Sequence, residues 1–359
     1  MITKTLIITD VPFWMSGAGH IARISALVDF LIKHTFLTVV VLGKQHGRYY
    51  TPIHENLHVI FLENENSDDK AHNLKLVNSL FEFDYYKLCI IEYINHSYFL
   101  KCIPEEVIVV LDAHDIISER NSSFQAHGYS NWDYPLTQEQ EQKIYQLYDY
   151  VALISEKDYN HSKRWLPMNK LILAPHPVTP VQHPIRECVQ TLAFIASDYL
   201  PNIDAIVWFL KHVWPHVTAK HNFQLHVYGM VCEKIPSKYR NMDNVVLKGF
   251  VRNVSDAYAQ TDIIINPVRF GAGLKIKNME ALAHGIPLLT TTHGASGMED
   301  GIGKAFLIAD DMDDFIKKLI LLATETPLRR QLSKTSRNWI TEKFGEDKCF
   351  ADFKKILTQ

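Results

Sequence analysis

The sequence predicts a parallel α/β protein with two Rossmann-like domains in tandem, and three observations carry that expectation. Short β-branched runs alternate with amphipathic stretches of about 10 to 15 residues, the pattern of βαβ units. The alternation breaks at Pro175-His176-Pro177-Val178-Thr179-Pro180, where three prolines within six residues exclude a helix interior or a central strand. It then resumes, and 359 residues leave room for two cores of ordinary size. The expected division is residues 1–175, residues 176–345, and a last segment over residues 346–359.

In the first domain a strand is expected over residues 5–9, then a loop. A helix follows over 20–33, with Ile21, Ile24, Leu27, Val28 and Leu31 at helical spacing. Strands follow over 37–42, 58–62, 87–91, 107–111 and 151–154, with polar-faced helices over 69–81 and 138–148 covering a doubly wound sheet. After the prolines come a strand over 191–195, a helix over 202–213 and strands over 224–227, 245–247 and 263–265. A helix over 275–284 and a strand over 287–291 complete the pattern. Phe350, Phe353 and Ile356 mark a last helix, which either packs on its own domain or crosses back to the first. Ser155 with Asp158 reads as a capping box, and Thr326-Pro327 as a cap followed by proline at the first helical position.

Composition narrows the function. Hydrophobic residues make up 47% and charged residues 21%, which excludes a disordered or low-complexity chain. Lys plus Arg total 37 against 40 Asp plus Glu, so the basic excess of a nucleic-acid binder is absent. Residues 1–175 carry 15 basic and 21 acidic side chains and the rest 22 and 19, which makes the second half the better anion binder. Five cysteines without a Cys-x-x-Cys pair exclude a disulfide framework or zinc ribbon and suit a reducing cytoplasm. The apolar run near the N-terminus is too short for a signal peptide, and no stretch approaches the ~20 residues of a membrane span. A cytoplasmic protein is expected, with membrane contact, if any, peripheral at the inner face.

The most informative stretch runs from Pro267 to Pro287, where a strand enters Arg269-Phe270-Gly271-Ala272-Gly273 and then a helix. Gly271 and Gly273 let a ligand approach the backbone closely, and the helix beginning near Leu274 offers unpaired N–H groups to an anion such as phosphate. Lys277, Glu280 and His284 fall within about 60° on one side of that helix, either as a ligand-facing stripe or as a solvated face with a Lys–Glu pair. No His-Glu-x-x-His, compact acidic triplet or Gly-x-Ser-x-Gly is present, so no metal site and no serine-nucleophile hydrolase is expected. Gly17-Ala18-Gly19 lacks the third glycine of a dinucleotide fingerprint, since residue 22 is alanine. NAD is therefore not expected.

These residues resemble the retaining group 1 (family 4) glycosyltransferases of GT-B architecture. The likeness is carried by the glycine loop, Lys275, Lys277, Glu280-Ala281, Gly285 and Pro287. Tyr228-Gly229, the segment from Leu247 to Val251, Tyr258 to Asp262 and Thr291 to Gly297 add to it. The resemblance implies transfer of a sugar from a UDP- or GDP-sugar to an acceptor hydroxyl, with retention and without metal or other cofactor. The acceptor would be a glycan, a lipid-linked molecule or a protein.

It assigns Glu280 to the ribose hydroxyls. Lys275, Lys277 and the backbone near Gly271, Gly273 and Leu274 go to the diphosphate, and Gly229 and Phe250 to the base, although turn and core roles suit the last two equally. Gly17 and Gly19 either flank the donor or make a tight turn. In the first domain, His114-Asp115 follows a strand, and the resemblance implies His114 at the sugar's reacting face with Asp115 orienting it or meeting the acceptor. Glu119 and Arg120 read as a surface pair.

Two departures stand out. Ala272 replaces the glutamate that many relatives carry eight residues before Glu280, and the segment after residue 195 lacks the usual Arg and Lys. They motivate a second reading, a GT-B-shaped partner or acceptor-binding protein without turnover. A nucleotide-sugar epimerase is a third.

Overall fold

A computed structural model describes residues 3–43, 54–62, 70–130 and 134–358. Two compact units emerge. The first comprises Met1–Met15, His20–His176 and Cys349–Gln359, and the second Ser16–Gly19 and Pro177–Lys348.

The first unit is built on seven parallel strands: β1 (Lys4–Thr9), β2 (Phe36–Leu42), β3 (Leu57–Leu62), β4 (Leu88–Glu92), β5 (Ile108–Asp112), β6 (Tyr150–Leu153) and β7 (Leu171–Leu173). Their order is β3-β2-β1-β4-β5-β6-β7. The β1 and β4 sequences are continuous apolar runs because helices cover both faces of a parallel sheet, and Leu6, Ile7, Ile8, Ile90 and Ile91 are solvent-free. Helix α1 (Gly19–Leu31) buries Ile24, Leu27, Val28 and Leu31 on one face, together with the unexpected Arg23. Helix α2 spans Lys70–Phe83, and the expected start at residue 69 lies outside the described residues. Helices α3 (Ile117–Ala126), α4 (Gln138–Tyr145) and α5 (Glu156–Ser162) follow. In the terminal helix Ala351–Thr358, Phe353, Ile356 and Leu357 join the α1-side core of this unit. The Phe350 ring packs at a tilt against Phe30, 4.8 Å between ring centroids.

The second unit holds β8 (Thr191–Ile195), β9 (Gln224–Tyr228), β10 (Val245–Gly249), β11 (Ile263–Asn266), β12 (Leu288–Thr290) and β13 (Leu307–Ile308). Their order is β10-β9-β8-β11-β12-β13. Both sheets reverse direction of growth beside their first strand, and in such sheets ligands bind outside the carboxyl ends of the strands at that switch point. Helix α6 (Leu200–Trp208) begins two residues before the expected start, since Pro201 sits in the first turn, where a missing N–H is tolerated. Its continuation, Phe209–Val213, is a π-turn.

Three local expectations need correction. The helix Thr326–Phe344 is preceded by Glu325 as N-cap, so Thr326 is its first residue and donates its hydroxyl to Glu187 O. Ser155 does cap α5 through Asp158 N at 3.0 Å, but its hydroxyl also donates to the Asp158 carboxylate in place of the return bond of a full box. Arg120 pairs with Asp115 at 3.3 Å rather than with Glu119, which lies 4.0 Å from His161.

Candidate functional site

In the second unit the switch point lies between β8 and β11, and β11 feeds the glycine bend. Gly271 (φ 116°) and Gly273 (φ 70°) both take the left-handed backbone that other residues avoid. A Cβ at Gly271 would meet Pro201 Cγ at 3.4 Å, so the bend lies against the start of α6. Arg269 anchors the same bend by two-pronged pairing with Asp204 on α6, with Nη2 to Oδ1 at 2.7 Å and Nε to Oδ2 at 3.0 Å. Lys275 donates to Ala272 O and Gly273 O at 3.1 and 2.8 Å, bracing the bend from within. Leu274 is buried.

The helix that follows is Ile276–Ala283, with Lys275 as N-cap, so its first turn starts later than the sequence suggested. Lys277, Glu280 and His284 share one neighbour, since Tyr258 Oη donates to Lys277 O at 3.1 Å and to Glu280, and its ring stacks on His284, but the Lys277 ammonium takes a different partner. Lys277 Nζ reaches Asn202 Oδ1 on α6 at 2.6 Å and lies 4.8 Å over the Phe194 ring. Glu280 accepts from Tyr258 Oη at 2.9 Å. His284 stacks on Tyr258 at 4.6 Å and bonds the Glu280 backbone carbonyl at 2.8 Å. Among the described residues no ion pair joins Lys277 to Glu280.

Their protonation reflects this isolation. Burial, with Lys275 adding repulsion, pushes the Lys277 ammonium down to about 7. Burial raises the Glu280 carboxyl to about 7 despite the Tyr258 hydrogen bond. Asn202 and Tyr258, the two neutral partners, were not singled out in the sequence as site residues. The Asn202 amide is itself oriented by donating to Ser197 O and Oγ at 3.2 and 3.3 Å.

Gly229, Gly17 and Gly19 lie in tight surroundings. Gly229 (φ 96°) has no room for a side chain, since a Cβ would lie 2.1 Å from Ala196 O. Its N–H donates to Gly249 O at 2.7 Å. Gly17 (φ 111°) belongs to the second unit, where a Cβ would meet the Phe250 ring at 2.8 Å, and one at Gly19 would touch Ile276 at 3.4 Å. Phe250 is 46% exposed, an aromatic face open to solvent.

In the first unit His114 and Asp115 follow β5. His114 (φ 59°) sits at the centre of a γ-turn closed by Asp115 N to Ala113 O at 2.7 Å, and Tyr93 (φ 65°) follows β4. Such backbones cost about 1–3 kcal/mol each in non-glycine residues and collect at functional sites. Tyr93 stacks on the His114 ring at 4.4 Å. His114 Nε2 lies 2.7 Å from Glu92 Oε2, and Asp112, the register partner of Glu92, meets Arg23 of α1 at 3.0 Å. Burial works to lower the His114 pKa, but Asp112 and the Glu92 hydrogen bond outweigh it and leave it raised. Burial and then Asp112 push the Glu92 carboxyl up. Ligand atoms of Glu92, Asp112 and His114 lie within 4.8 Å of one another, a span that would admit a metal ion. The Arg23 guanidinium already supplies the positive charge there. Glu141 on α4 holds the start of α3, accepting from Ile117 N and Ser118 N at 2.7 and 2.9 Å, and so steadies the chain just after Asp115.

Comparison with known proteins gives this arrangement a class. Residues 189–325 match the family described as Glycosyl transferases group 1. That match lies within the second unit and spans less than half of the chain, and the chain has the GT-B fold. Sucrose-phosphate synthase from Thermosynechococcus elongatus superposes with a TM-score of 0.77 at 12% identity, covering 99% of this chain and 98% of that one. WaaG, a glycosyltransferase involved in lipopolysaccharide biosynthesis, gives 0.68 at 16% identity over 99% of both chains. Anabaena Alr3699/HepE, solved with UDP and glucose, gives 0.69 at 10% identity over the whole of both. An uncharacterised 44.6 kDa protein in the cps region of Klebsiella pneumoniae is 22% identical over 220 residues, 58% of this chain and 56% of its own length. No described helix is long and apolar enough to cross a membrane.

Proposed function

We propose that the protein transfers a sugar from a nucleoside-diphosphate donor, UDP- or GDP-linked, to an acceptor hydroxyl of a glycan, lipid-linked molecule or protein. The reaction proceeds with retention and without a metal, and the protein works in the cytoplasm, with any membrane contact peripheral. One observation carries the reading: Lys277 and Glu280 lie three residues apart beside the glycine bend, each largely withdrawn from water, and among the described residues neither has a countercharge. A lysine and a carboxylate that avoid each other leave one cationic and one acceptor position open, matching a diphosphate and a ribose diol. Glu280 accepts from the ribose hydroxyls. Lys277, with Lys275 and the backbone at Gly271, Gly273 and Leu274, offsets charge growing on the leaving diphosphate. Phe250 offers its face to the base beside Gly229, and the chain at Gly17 and Gly19 borders the donor. His114 assists at the sugar, with Asp115 on the acceptor side. The presence of UDP and glucose in the Anabaena structure supports a UDP-sugar among the candidates.

The test is turnover and binding across a panel of UDP- and GDP-sugars with Lys277→Met and Glu280→Gln beside the wild type. Loss of donor binding in both variants is expected, and unchanged kinetics in both would overturn the site. Ala272 favours a second reading, a donor-binding partner without turnover. Donor binding without sugar release or transfer across an acceptor panel, together with a stable hetero-oligomer, would establish it.

A further inference from the structure

We infer that Glu92 is a positioning residue: its carboxylate grips His114 by Nε2, fixes the tautomer protonated there, and leaves Nδ1 as the nitrogen offered to the reacting sugar. The inference rests on the catalytic role proposed above for His114, and four observations support it.

The Glu92–His114 contact is short, 2.7 Å, whereas Asp112 Oδ2 stands 4.0 Å from the same nitrogen. The same Asp112 oxygen lies 3.0 Å from Arg23 Nη2, so among the described residues Glu92 is the acid within hydrogen-bond reach of the imidazole. Among the described residues Nδ1 has no hydrogen-bond partner, while Glu92 and Asp112 have no solvent exposure and His114 retains 7%. The Tyr93 ring lies against one face of the imidazole at 4.4 Å and 30°. Rotation about the Cβ–Cγ bond is then opposed by the carboxylate at the ring edge and the phenol at its face. The backbone pays for the same placement, since both Tyr93 and His114 adopt positive φ at the carboxyl ends of adjoining strands. A histidine that served only to balance charge could reach Glu92 from a relaxed backbone. A tautomer set by the bond at the far nitrogen is the usual way a reactive imidazole is prepared.

Histidine-selective 15N NMR at alkaline pH, where the imidazole is neutral, reads the tautomer directly, with the His114 signals identified by their loss in His114→Gln. The wild type is expected to carry its proton on Nε2, and a proton on Nδ1 would overturn the inference without touching the donor site. In Glu92→Leu the tautomers are expected to mix. Its kcat should fall at least about tenfold while the donor KM moves less than about twofold, the split expected when an orienting partner outside the reacting atoms is lost. In Glu92→Gln the amide oxygen accepts the same bond, so the wild-type tautomer and most of the turnover should return, which also covers the case that Glu92→Leu does not fold. Folded Glu92→Leu with wild-type kcat, or Glu92→Gln with mixed tautomers, would overturn the inference. Retained turnover in His114→Gln would instead remove the catalytic role of His114, and the kinetic role of Glu92 with it.

Discussion

Asp112 in the first unit meets Arg23 at 3.0 Å and Glu92 meets His114 at 2.7 Å, whereas Lys277 and Glu280 in the second unit meet an amide and a phenol. The first cluster is closed in charge, two acids against one guanidinium and one imidazole, although among the described residues Glu92 Oε1, both Asp112 carboxylate oxygens and the three Arg23 nitrogens make no hydrogen bond. The second is open, because burial has been imposed on a cation and an acid whose partners carry no charge. A closed cluster holds geometry, and damage to it should appear first in stability. An open one, if it is the donor site proposed above, should show damage in binding while the fold survives or gains.

The largest expected effect breaks the closed cluster. Arg23→Met leaves Asp112 buried beside Glu92 with no cation but His114, and removing one partner of a buried pair typically costs about 3–5 kcal/mol. Urea unfolding should show that loss, and a double variant with Asp112→Leu should recover most of it, since replacing a whole buried pair by apolar groups is near neutral. Recovery failing in the double variant would mean that Arg23 acts through packing, such as its contact 5.1 Å over the Phe350 ring.

Next in size is the opposite experiment in the open cluster. Lys277→Met removes a desolvated ammonium and keeps the stem against Phe194, so thermal stability should hold or rise. Binding of the donor should weaken about 10- to 100-fold, the value of a charge-assisted hydrogen bond of about 1.5–3 kcal/mol. Calorimetric titration with a UDP-sugar checks the second half and a melting curve the first. Equal loss of both would erase the contrast between the units.

How much of this was legible in the sequence follows the same division. The sheets were, because parallel strands buried on both faces write themselves as apolar runs, and β8 has the bounds the sequence gives it, Thr191–Ile195. The three-residue edge strand β7 was missed, being too short to show a period. Helix α3 was missed too, since Ser118, Asn121, Ser122 and Ser123 give it a polar sequence whose start is held by the distant Glu141. In the second unit, motif spacing marked Lys277 and Glu280, but nothing local announces that Asn202 and Tyr258 would take their side chains. In the first, Glu92 left a usable trace, an acid closing a strand otherwise as apolar as Leu-Cys-Ile-Ile. Arg23 left none, because a single basic residue beside Ile24 reads as the solvent side of an amphipathic helix until its partner on β5 is known.

A pH series sharpens the comparison further. Burial holds Lys277 and Glu280 both near 7. A bound diphosphate favours the charged ammonium and raises its pKa, so affinity should fall as pH rises above 7. Ribose hydroxyls donate to the ionised carboxylate and lower its pKa, so affinity should also fall as pH drops below 7. The expected profile for a UDP-sugar, whose diphosphate does not titrate in this range, is a maximum near pH 7 with several-fold losses toward 6 and 8. Lys277→Met should flatten the alkaline side and Glu280→Gln the acid side. A profile that is level from 6 to 8 in the wild type would place both groups in the ordinary charged state.

The smallest effect is expected at an ion pair that borders the open cluster. Arg269 and Asp204 join the glycine bend to α6, but their side chains are 36% and 13% exposed, so solvent screens much of the pair. Asp204→Asn should therefore cost at most about 1 kcal/mol of stability. Its kinetic consequence depends on what the pair is for. If it only closes a charge balance, as the Arg23 pair does, the donor KM stays at the wild-type value. If it holds the bend against α6 so that Gly271, Gly273 and the Lys277–Asn202 contact keep their spacing, the KM should rise a few-fold with kcat little changed, because misplacement of a binding loop weakens ground state and transition state alike. The second outcome is expected, since Asp204 and Asn202 lie on the same turn of α6, one meeting the residue before the bend and the other the lysine after it.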